Sequence, residues 1–166
     1  MKFMRANSAM WLFATACTAA VAFGAGQNAS ETPKMTDMRG EQIINQSCTD
    51  CHDTRPIDTQ ALSKDEWSDL VKSMINKGST IKADDVPGFV EYLTRKHGPL
   101  PNGAGKRVML EICTQCHSLD QVKAKANDRD EWDVLLQSML NEGAPLSDED
   151  YPIILNYLAR NFGPKQ

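Results

Sequence analysis

Two cysteine–histidine motifs contain the residues of this chain that are best suited to chemistry. Both have the pattern Cys-x-x-Cys-His, one at residues 48–52 and one at residues 113–117. This pattern is typical of c-type haem attachment, in which both thiols bond covalently to the porphyrin and the histidine ligates the iron. The sequence therefore predicts two covalently bound haem c groups. The predicted thioether cysteines are Cys48, Cys51, Cys113 and Cys116, and the predicted proximal iron ligands are His52 and His117.

Other uses of paired cysteines fit the sequence less well. A thioredoxin-type dithiol would lie in a βαβ setting, and the sequence shows no strand pattern. Zinc sites built from two Cys-x-x-Cys pairs usually have them about 15–20 residues apart, whereas these motifs are 65 residues apart. A redox dithiol would also leave the two matched histidines unexplained.

A methionine follows each motif histidine after twenty-two residues, at Met74 and Met139. A thioether is a known axial ligand of haem iron and raises its reduction potential. We predict that both methionines are distal iron ligands; filling of an apolar core is the alternative. His97 is a rival ligand for the first iron, although Phe162 takes its place in the second motif's segment. The alternative for His97 is a surface histidine near the end of a helix.

Trp67 and Trp132 each precede one of these methionines by seven residues. We predict that they form walls of the two haem pockets, with ordinary core packing as the alternative. A buried indole N–H seeks an acceptor, so a haem propionate is one candidate partner.

An internal repeat relates the two motifs. A shift of 65 residues aligns residues 48–99 with 113–164 without a gap, and 20 of these 52 positions are identical. Such identity indicates a duplicated domain. The two copies are joined by residues 98–105, which are rich in glycine and proline and are expected to interrupt any helix.

Each copy is predicted to contain three helices and no strand. The first leads into the cysteine motif, and the last begins near Asp85 or Asp150 and ends at a Gly-Pro pair. The middle helix has a capping box in both copies and is expected to stop at Gly78 and Gly143. Its apolar face comprises Trp67, Leu70, Val71, Met74 and Ile75 in the first copy, and Trp132, Leu135, Leu136, Met139 and Leu140 in the second.

Residues 1–26 have the pattern of a secretory signal peptide. Lys2 and Arg5 precede an apolar run at 10–23, and small residues follow it. The run is short for a membrane span, which needs about 20 residues, so we expect no stable span after cleavage. A retained anchor, or lipidation at Cys17, is the alternative.

The whole chain divides into five predicted segments. These are the signal peptide at 1–26, a flexible lead-in at 27–37, a first domain at 38–99, a linker at 100–105 and a second domain at 106–166.

The net charge is −4, and loss of Lys2 and Arg5 would make it more negative. A negative chain disfavours nucleic acid as a partner.

Around both motifs the sequence resembles tandem class I c-type cytochromes. A glycine stands eight residues before the first cysteine, an apolar residue four before it, and the last helix carries Tyr-Leu. The residues concerned are Gly40, Ile44, Tyr92 and Leu93 in the first copy, and Gly105, Met109, Tyr157 and Leu158 in the second. The resemblance implies that the first and last helices cross at these positions.

The resemblance also implies a fold and a role. The expected fold is all-α, with two tandem cytochrome c-like domains of about three helices each and one covalent haem per domain. The chain is similar to haem domains that partner periplasmic dehydrogenases, such as those of quinohaemoprotein amine dehydrogenase and sulfite dehydrogenase.

We therefore expect a periplasmic electron-transfer protein of a Gram-negative bacterium, without catalytic residues of its own. A periplasmic dehydrogenase would be its electron donor, and another cytochrome or a terminal oxidase its acceptor. One alternative is a haem-bearing subunit bound tightly in a dehydrogenase complex. A small dihaem peroxidase is another, but peroxide chemistry needs a placed acid or base, and His97 is the one histidine outside the motifs.

Overall fold

The computed structural model describes residues 34–165, so the predicted signal peptide and most of the predicted lead-in lie outside the described residues. Within this range all regular structure is helical and no strand is present, which confirms the all-α class. No helix within 34–165 has the length and apolar character needed to cross a bilayer.

The two copies fold as two similar series of helices. The first consists of α1 (Asp37–Ile43), α2 (Arg55–Asp58), α3 (Lys64–Asn76) and α4 (Val86–Lys96). The second consists of α5 (Gly105–Glu111), α6 (Asp120–Lys123), α7 (Arg129–Asn141) and α8 (Asp150–Asn161). The single-turn helices α2 and α6 were not among the three helices predicted per copy, because one turn gives no periodic pattern to detect.

The cysteine motifs begin where α1 and α5 end, but the two junctions differ. After α1 the chain continues through a π-helical turn, Ile44–Cys48. After α5 it passes through residue 112 into a 3₁₀ turn, Cys113–Gln115. The local backbone of the two motifs is therefore not identical despite the matching sequence.

The long middle helices α3 and α7 begin as predicted. The Ser63 hydroxyl accepts from the amide of Glu66, whose carboxylate accepts from the Ser63 amide in return. Asp128 and Glu131 form the same reciprocal pair on α7. Both helices are followed by a glycine with positive φ, +105° at Gly78 and +95° at Gly143, a backbone conformation that favours glycine. These start and stop predictions are confirmed.

The first and last helices of each copy cross at the expected glycines. A Cβ on Gly40 would overlap the ring of Tyr92, and a Cβ on Gly105 would overlap Tyr157. Both glycines are buried, so no solvent lies between the backbone of one helix and the tyrosine of the other. Such close approach is the structural reason for glycine here.

Two hydrophobic clusters lie in the described chain, one for each copy. The first is built around Trp67, Phe89 and Leu93, and the second around Trp132, Ile154 and Leu158. The second cluster also includes Ala61 and Leu100 from the first half and the join. Residue 100 therefore packs into a core rather than lying free between the copies.

Two sequence expectations about exposure were wrong. Leu140, predicted on the buried face of α7, is 37% exposed because it lies at the edge of the apolar stripe, near the helix end. His97, given as a surface histidine in one interpretation, is only 6% exposed, because it lies at the end of α4 beside the buried ring of Trp67.

Candidate functional site

The first copy contains an apolar cavity of about 420 Å³ beside its cysteine motif. Five predicted site residues line it, namely Cys48, Cys51, His52, Trp67 and Met74. Apolar side chains from α2, α3 and α4 complete the wall, including Ile57, Leu70, Val71, Phe89 and Leu93. Sites for small ligands and cofactors are typically apolar clefts of about 300–1,000 Å³ with a few polar groups, and this cavity has that character.

The helices explain how distant residues meet at this cavity. Met74 and Trp67 lie seven residues apart, two turns of α3, and so share one face of that helix. The π-helical turn after α1 brings Cys48 to the edge of the first hydrophobic cluster, and the chain then turns to place Cys51 and His52 at the same cavity.

The four motif cysteines form no disulfide within residues 34–165, and their burial follows the same pattern in each copy. Cys48 and Cys113 are partly buried against their hydrophobic clusters, whereas Cys51 and Cys116 are exposed. Burial raises the pKa of the Cys48 thiol, with a further contribution from the nearby Asp50 carboxylate, and burial likewise raises the pKa of Cys113. A raised pKa favours the neutral thiol, whereas the nucleophilic thiol of a redox dithiol has a lowered pKa.

Both motif histidines have one ring nitrogen engaged by the backbone. Nδ1 of His52 lies 2.7 Å from the carbonyl oxygen of Asp53, and Nδ1 of His117 lies 3.0 Å from that of Ser118. A carbonyl oxygen can only accept, so Nδ1 is the donor, and in the neutral imidazole the free lone pair then lies on Nε2. This is the arrangement found in metal-ligating histidines, whose second nitrogen is fixed by a carbonyl or carboxylate. The sequence did not identify these carbonyls, because any residue supplies one.

Trp67 and Trp132 donate their indole N–H groups to the backbone. The acceptor of Trp67 is the carbonyl of His97 at 3.1 Å, and that of Trp132 is the carbonyl of Phe162 at 3.3 Å. Each bond joins the middle helix to the residue after the last helix of its copy. Because each indole N–H already has a backbone acceptor, neither needs the haem propionate that the sequence suggested as a partner.

Two hydroxyl groups fix one edge of the first cavity. The hydroxyl of Ser79 donates to the carbonyl of Ser47 at 3.2 Å, and that of Thr80 donates to the Ser47 hydroxyl at 3.0 Å. Ser47 and Ser79 both line the cavity. These bonds hold the loop after α3 against the turn that precedes Cys48. Sequence reasoning missed them, although two adjacent hydroxyl residues after Gly78 were a detectable signal.

The second copy arranges its predicted site residues differently. Cys116 and His117 border a polar groove of about 240 Å³ that is shared with residues 53–55, 58 and 59 of the first copy. Cys113, Trp132 and Met139 are not among the residues that line this groove; Cys113 and Trp132 belong to the second hydrophobic cluster or pack against it. The structure therefore gathers the five predicted residues into one cavity in the first copy, but not into this groove in the second.

The two copies also differ in sequence at the residues that fix the edge of the first cavity. The positions of Ser47, Ser79 and Thr80 are occupied in the second copy by Ile112, Ala144 and Pro145. None of these has a hydroxyl, so the bonds that fix the edge of the first cavity cannot form. Leu119 also replaces Thr54 and is almost fully buried in the second cluster.

The donor groups of the first cavity fit a haem better than a protein-only metal site. Within residues 34–165, no three His, Cys, Asp or Glu side chains are grouped as a metal site. A haem iron takes four ligands from its porphyrin and needs only one or two from the protein. An apolar cavity with two thiols, an imidazole and a thioether satisfies that requirement.

His97 does not belong to this donor set. Its ring packs edge-on against Trp67, with 6.2 Å between the ring centroids, and it is not among the residues that line the first cavity. Burial lowers the pKa of His97, and its neighbouring charges are Asp120, Asp58, Lys123 and Lys96. The structure thus places this histidine at the contact between the two copies.

Comparison of the chain with known protein families, with curated proteins and with solved structures finds no match in any of the three.

Proposed function

We propose that this protein is an exported dihaem electron carrier with one covalently bound haem c in each of two cytochrome c-like domains. The single observation that supports this most strongly is the 420 Å³ apolar cavity lined by Cys48, Cys51, His52, Trp67 and Met74. These residues were selected from the motif, the repeat and the apolar face of the middle helix, and they come from α3 and from the motif that follows α1. Their convergence on one cavity is expected of a haem site, because a haem needs its attachment cysteines, iron ligands and apolar wall in the same place.

Each predicted site residue of the first copy would have its own role in holding a haem. The thiols of Cys48 and Cys51 would form the thioether bonds, and Nε2 of His52 would face the iron because Nδ1 is held by the Asp53 carbonyl. Met74 would supply the distal sulfur. A bound haem would supply one-electron transfer between ferrous and ferric iron.

The second copy would use Cys113, Cys116, His117 and Met139 in the same roles. The Nδ1 bond of His117 to the Ser118 carbonyl supports this assignment, because it repeats the tautomer of His52. Trp67 and Trp132 would stabilise the helix packing around each site through their bonds to residues 97 and 162.

An electron carrier is favoured over a peroxidase by the surroundings of the first cavity. Peroxide cleavage needs an acid or base placed beside the reacting oxygen, and the buried His97 lies against Trp67 instead. We further propose a periplasmic location, a periplasmic dehydrogenase as the electron donor, and a cytochrome or terminal oxidase as the acceptor. A stable subunit of a dehydrogenase complex remains the alternative form of the same function.

The proposal is tested by counting covalent haem after expression in a host that matures c-type cytochromes. The pyridine haemochrome of the acid-acetone-washed protein should give two haems per chain. The double variants Cys48→Ala/Cys51→Ala and Cys113→Ala/Cys116→Ala should each retain one, so each copy serves as the control for the other. Protein without covalent haem, or with a count unaffected by either variant, would reject the proposal.

A further inference from the structure

The wall of the first cavity carries one lysine. Of the described residues that line this cavity, Lys77 is the only lysine, arginine, aspartate or glutamate, and most of the others are apolar. Lys77 is also exposed, so it lies where the cavity meets solvent. It forms no salt bridge with any residue of the described chain, 34–165. Its ammonium group is therefore free to pair with an anionic group of a molecule that occupies the cavity.

The backbone around Lys77 is fixed at the edge of this cavity. The amide of Lys77 donates to the carbonyl of Met74 at 3.1 Å, and the amide of Ser79 donates to the same carbonyl at 3.0 Å. Gly78, between them, has the positive φ that commonly ends a helix in this way. The Ser79 hydroxyl then donates to the carbonyl of Ser47. Lys77 thus extends from a rigid turn, three residues beyond the proposed distal ligand.

The matching position in the second copy has the opposite charge. It is occupied by Glu142, which follows Met139 as Lys77 follows Met74. The turn itself is the same, because the amide of Ala144 donates to the Met139 carbonyl at 2.9 Å. A lysine is therefore not required for this helix end to form, and its presence beside the first cavity calls for a reason other than the fold.

A haem has the anionic group that this cation would meet. Its ring is apolar, whereas its propionate side chains end in carboxylates. A carboxylate that approaches an apolar wall loses water and needs a donor or a cation in exchange. A hydrogen bond between an ammonium and a carboxylate is about twice as strong as one between neutral groups. The hydroxyls of Ser47 and Ser79 already take part in the bonds that close the cavity edge, which leaves Lys77 as the charged donor on this wall.

We infer that Lys77 binds a propionate carboxylate of the haem in the first copy and stabilises its ionised form. This inference rests on the proposed haem function. It assigns the exposed edge of the cavity to the carboxylates of the haem and the apolar wall to its ring. Because a neighbouring opposite charge favours the ionised form, Lys77 should lower the pKa of the propionate that it contacts.

The experiment uses the full chain with one attachment motif removed. In Cys113→Ala/Cys116→Ala the haem of the first copy is the only one expected, so its signals are not mixed with those of another. Labelling the propionate carboxyl carbons with carbon-13 lets NMR follow each carboxylate of the ferrous protein through a pH titration. If this double variant does not fold, the parent protein serves, with the first haem assigned by nuclear Overhauser contacts to Trp67.

Three substitutions test the contact in this background. Lys77→Gln removes the charge, and Lys77→Arg keeps it. Lys82→Gln is the matched control, because Lys82 is also exposed and forms no salt bridge with the described residues, but does not line the cavity.

We expect Lys77→Gln to raise the pKa of one propionate by roughly one unit. This is the low end of the range for a neighbouring opposite charge, as suits an exposed lysine. Lys77→Arg should keep that pKa low, and Lys82→Gln should leave it unchanged.

Two results would overturn the inference and leave the proposed function standing. The first is a haem-bearing protein whose propionate pKa values are the same with Lys77 and with Lys77→Gln. The second is an equal rise in Lys77→Gln and Lys82→Gln, because that would indicate the overall charge of the chain rather than a contact. A parent protein without covalent haem would instead reject the proposed function, and this inference with it.

Discussion

Replacement of Trp67 by phenylalanine tests how the first cavity is supported. Trp67 is 1% exposed, lines the cavity and donates its indole N–H to the carbonyl of His97 at 3.1 Å. Phenylalanine keeps an aromatic wall but has no donor and a smaller ring. The variant therefore removes one buried hydrogen bond and opens a gap between α3 and the end of α4.

The magnitude follows from these two losses. The His97 carbonyl keeps a second donor, the amide of Leu62 at 3.1 Å, so the lost bond costs about 1 kcal/mol rather than the larger penalty of an unpaired buried group. The smaller ring leaves a gap of roughly 40 Å³, which costs about 1 kcal/mol at ~24 cal/mol per Å³. Together they predict a loss of about 2 kcal/mol in the free energy of unfolding.

Urea unfolding of the purified protein, followed by far-ultraviolet circular dichroism, measures this loss. The matched control is Trp132→Phe, which breaks the equivalent bond to the Phe162 carbonyl at 3.3 Å. Both variants should be destabilised, but only Trp67→Phe should perturb the absorption spectrum of the haem proposed for the first copy. A change below about 0.5 kcal/mol for Trp67→Phe, within the usual range of surface substitutions, would refute the reasoning from its burial and hydrogen bond.

Four further predictions concern single positions. Gly105→Ala should lower the free energy of unfolding by about 1–3 kcal/mol or more, because the added Cβ would overlap Tyr157. Gly143→Ala has open space around its Cβ and should lower it by only about 1 kcal/mol, because of the positive φ. Urea unfolding of the two variants measures the difference. Met74→His should lower the midpoint potential of the first haem and leave the second unchanged in a potentiometric titration; an unchanged first potential would count against ligation by Met74. Hydrogen bonds from Lys96 and Arg95 lower the pKa of Asp37, so the ionised carboxylate stabilises the fold fully above about pH 3.8 and progressively less as the pH falls through its lower native pKa. The difference in Tm between the parent and Asp37→Asn should therefore close over that range of pH. A difference that stays constant would contradict the prediction. Burial lowers the pKa of His97 below 6.5, so the unfolded chain takes up a proton that the native ring resists; stability should decline as the pH falls from 6.5 toward the native pKa, and His97→Gln should reduce that slope.

The sequence predicted the helices well where local signals act alone. The capping boxes at Ser63 and Asp128 and the stops at Gly78 and Gly143 depend on hydrogen bonds and φ values within a few residues, and the structure confirms them. The glycine–tyrosine crossings were expected from the resemblance to cytochromes, and the structure confirms them too.

The sequence could not predict features that depend on distant partners. The burial of His97 results from packing against Trp67, thirty residues away. The Arg55–Gln115 bond joins the two copies across sixty residues, and a comparison of each copy with the other cannot reveal a contact between them. Burial at the edge of a helix face also depends on its neighbours, which is why Leu140 was misplaced.

The candidate site shows the same division. The Cys-x-x-Cys-His motif and the repeat selected the cysteines, histidines and methionines as candidates. They treated both copies as equivalent, whereas the structure places His52 and Met74 at one cavity and leaves Met139 apart from the groove that borders His117. The copies also differ in the hydroxyls of Ser47, Ser79 and Thr80, whose hydrogen bonds are formed only once the loop after α3 lies against the turn before Cys48.

The mass of the intact chain tests the central claim most directly. Protein secreted by a host that matures c-type cytochromes, denatured in acid and analysed by mass spectrometry, should have the mass of the processed chain plus two haems. Peptide mapping should place one haem on Cys48 and Cys51 and the other on Cys113 and Cys116. A mass equal to that of the polypeptide alone, with four unmodified thiols, would contradict the account.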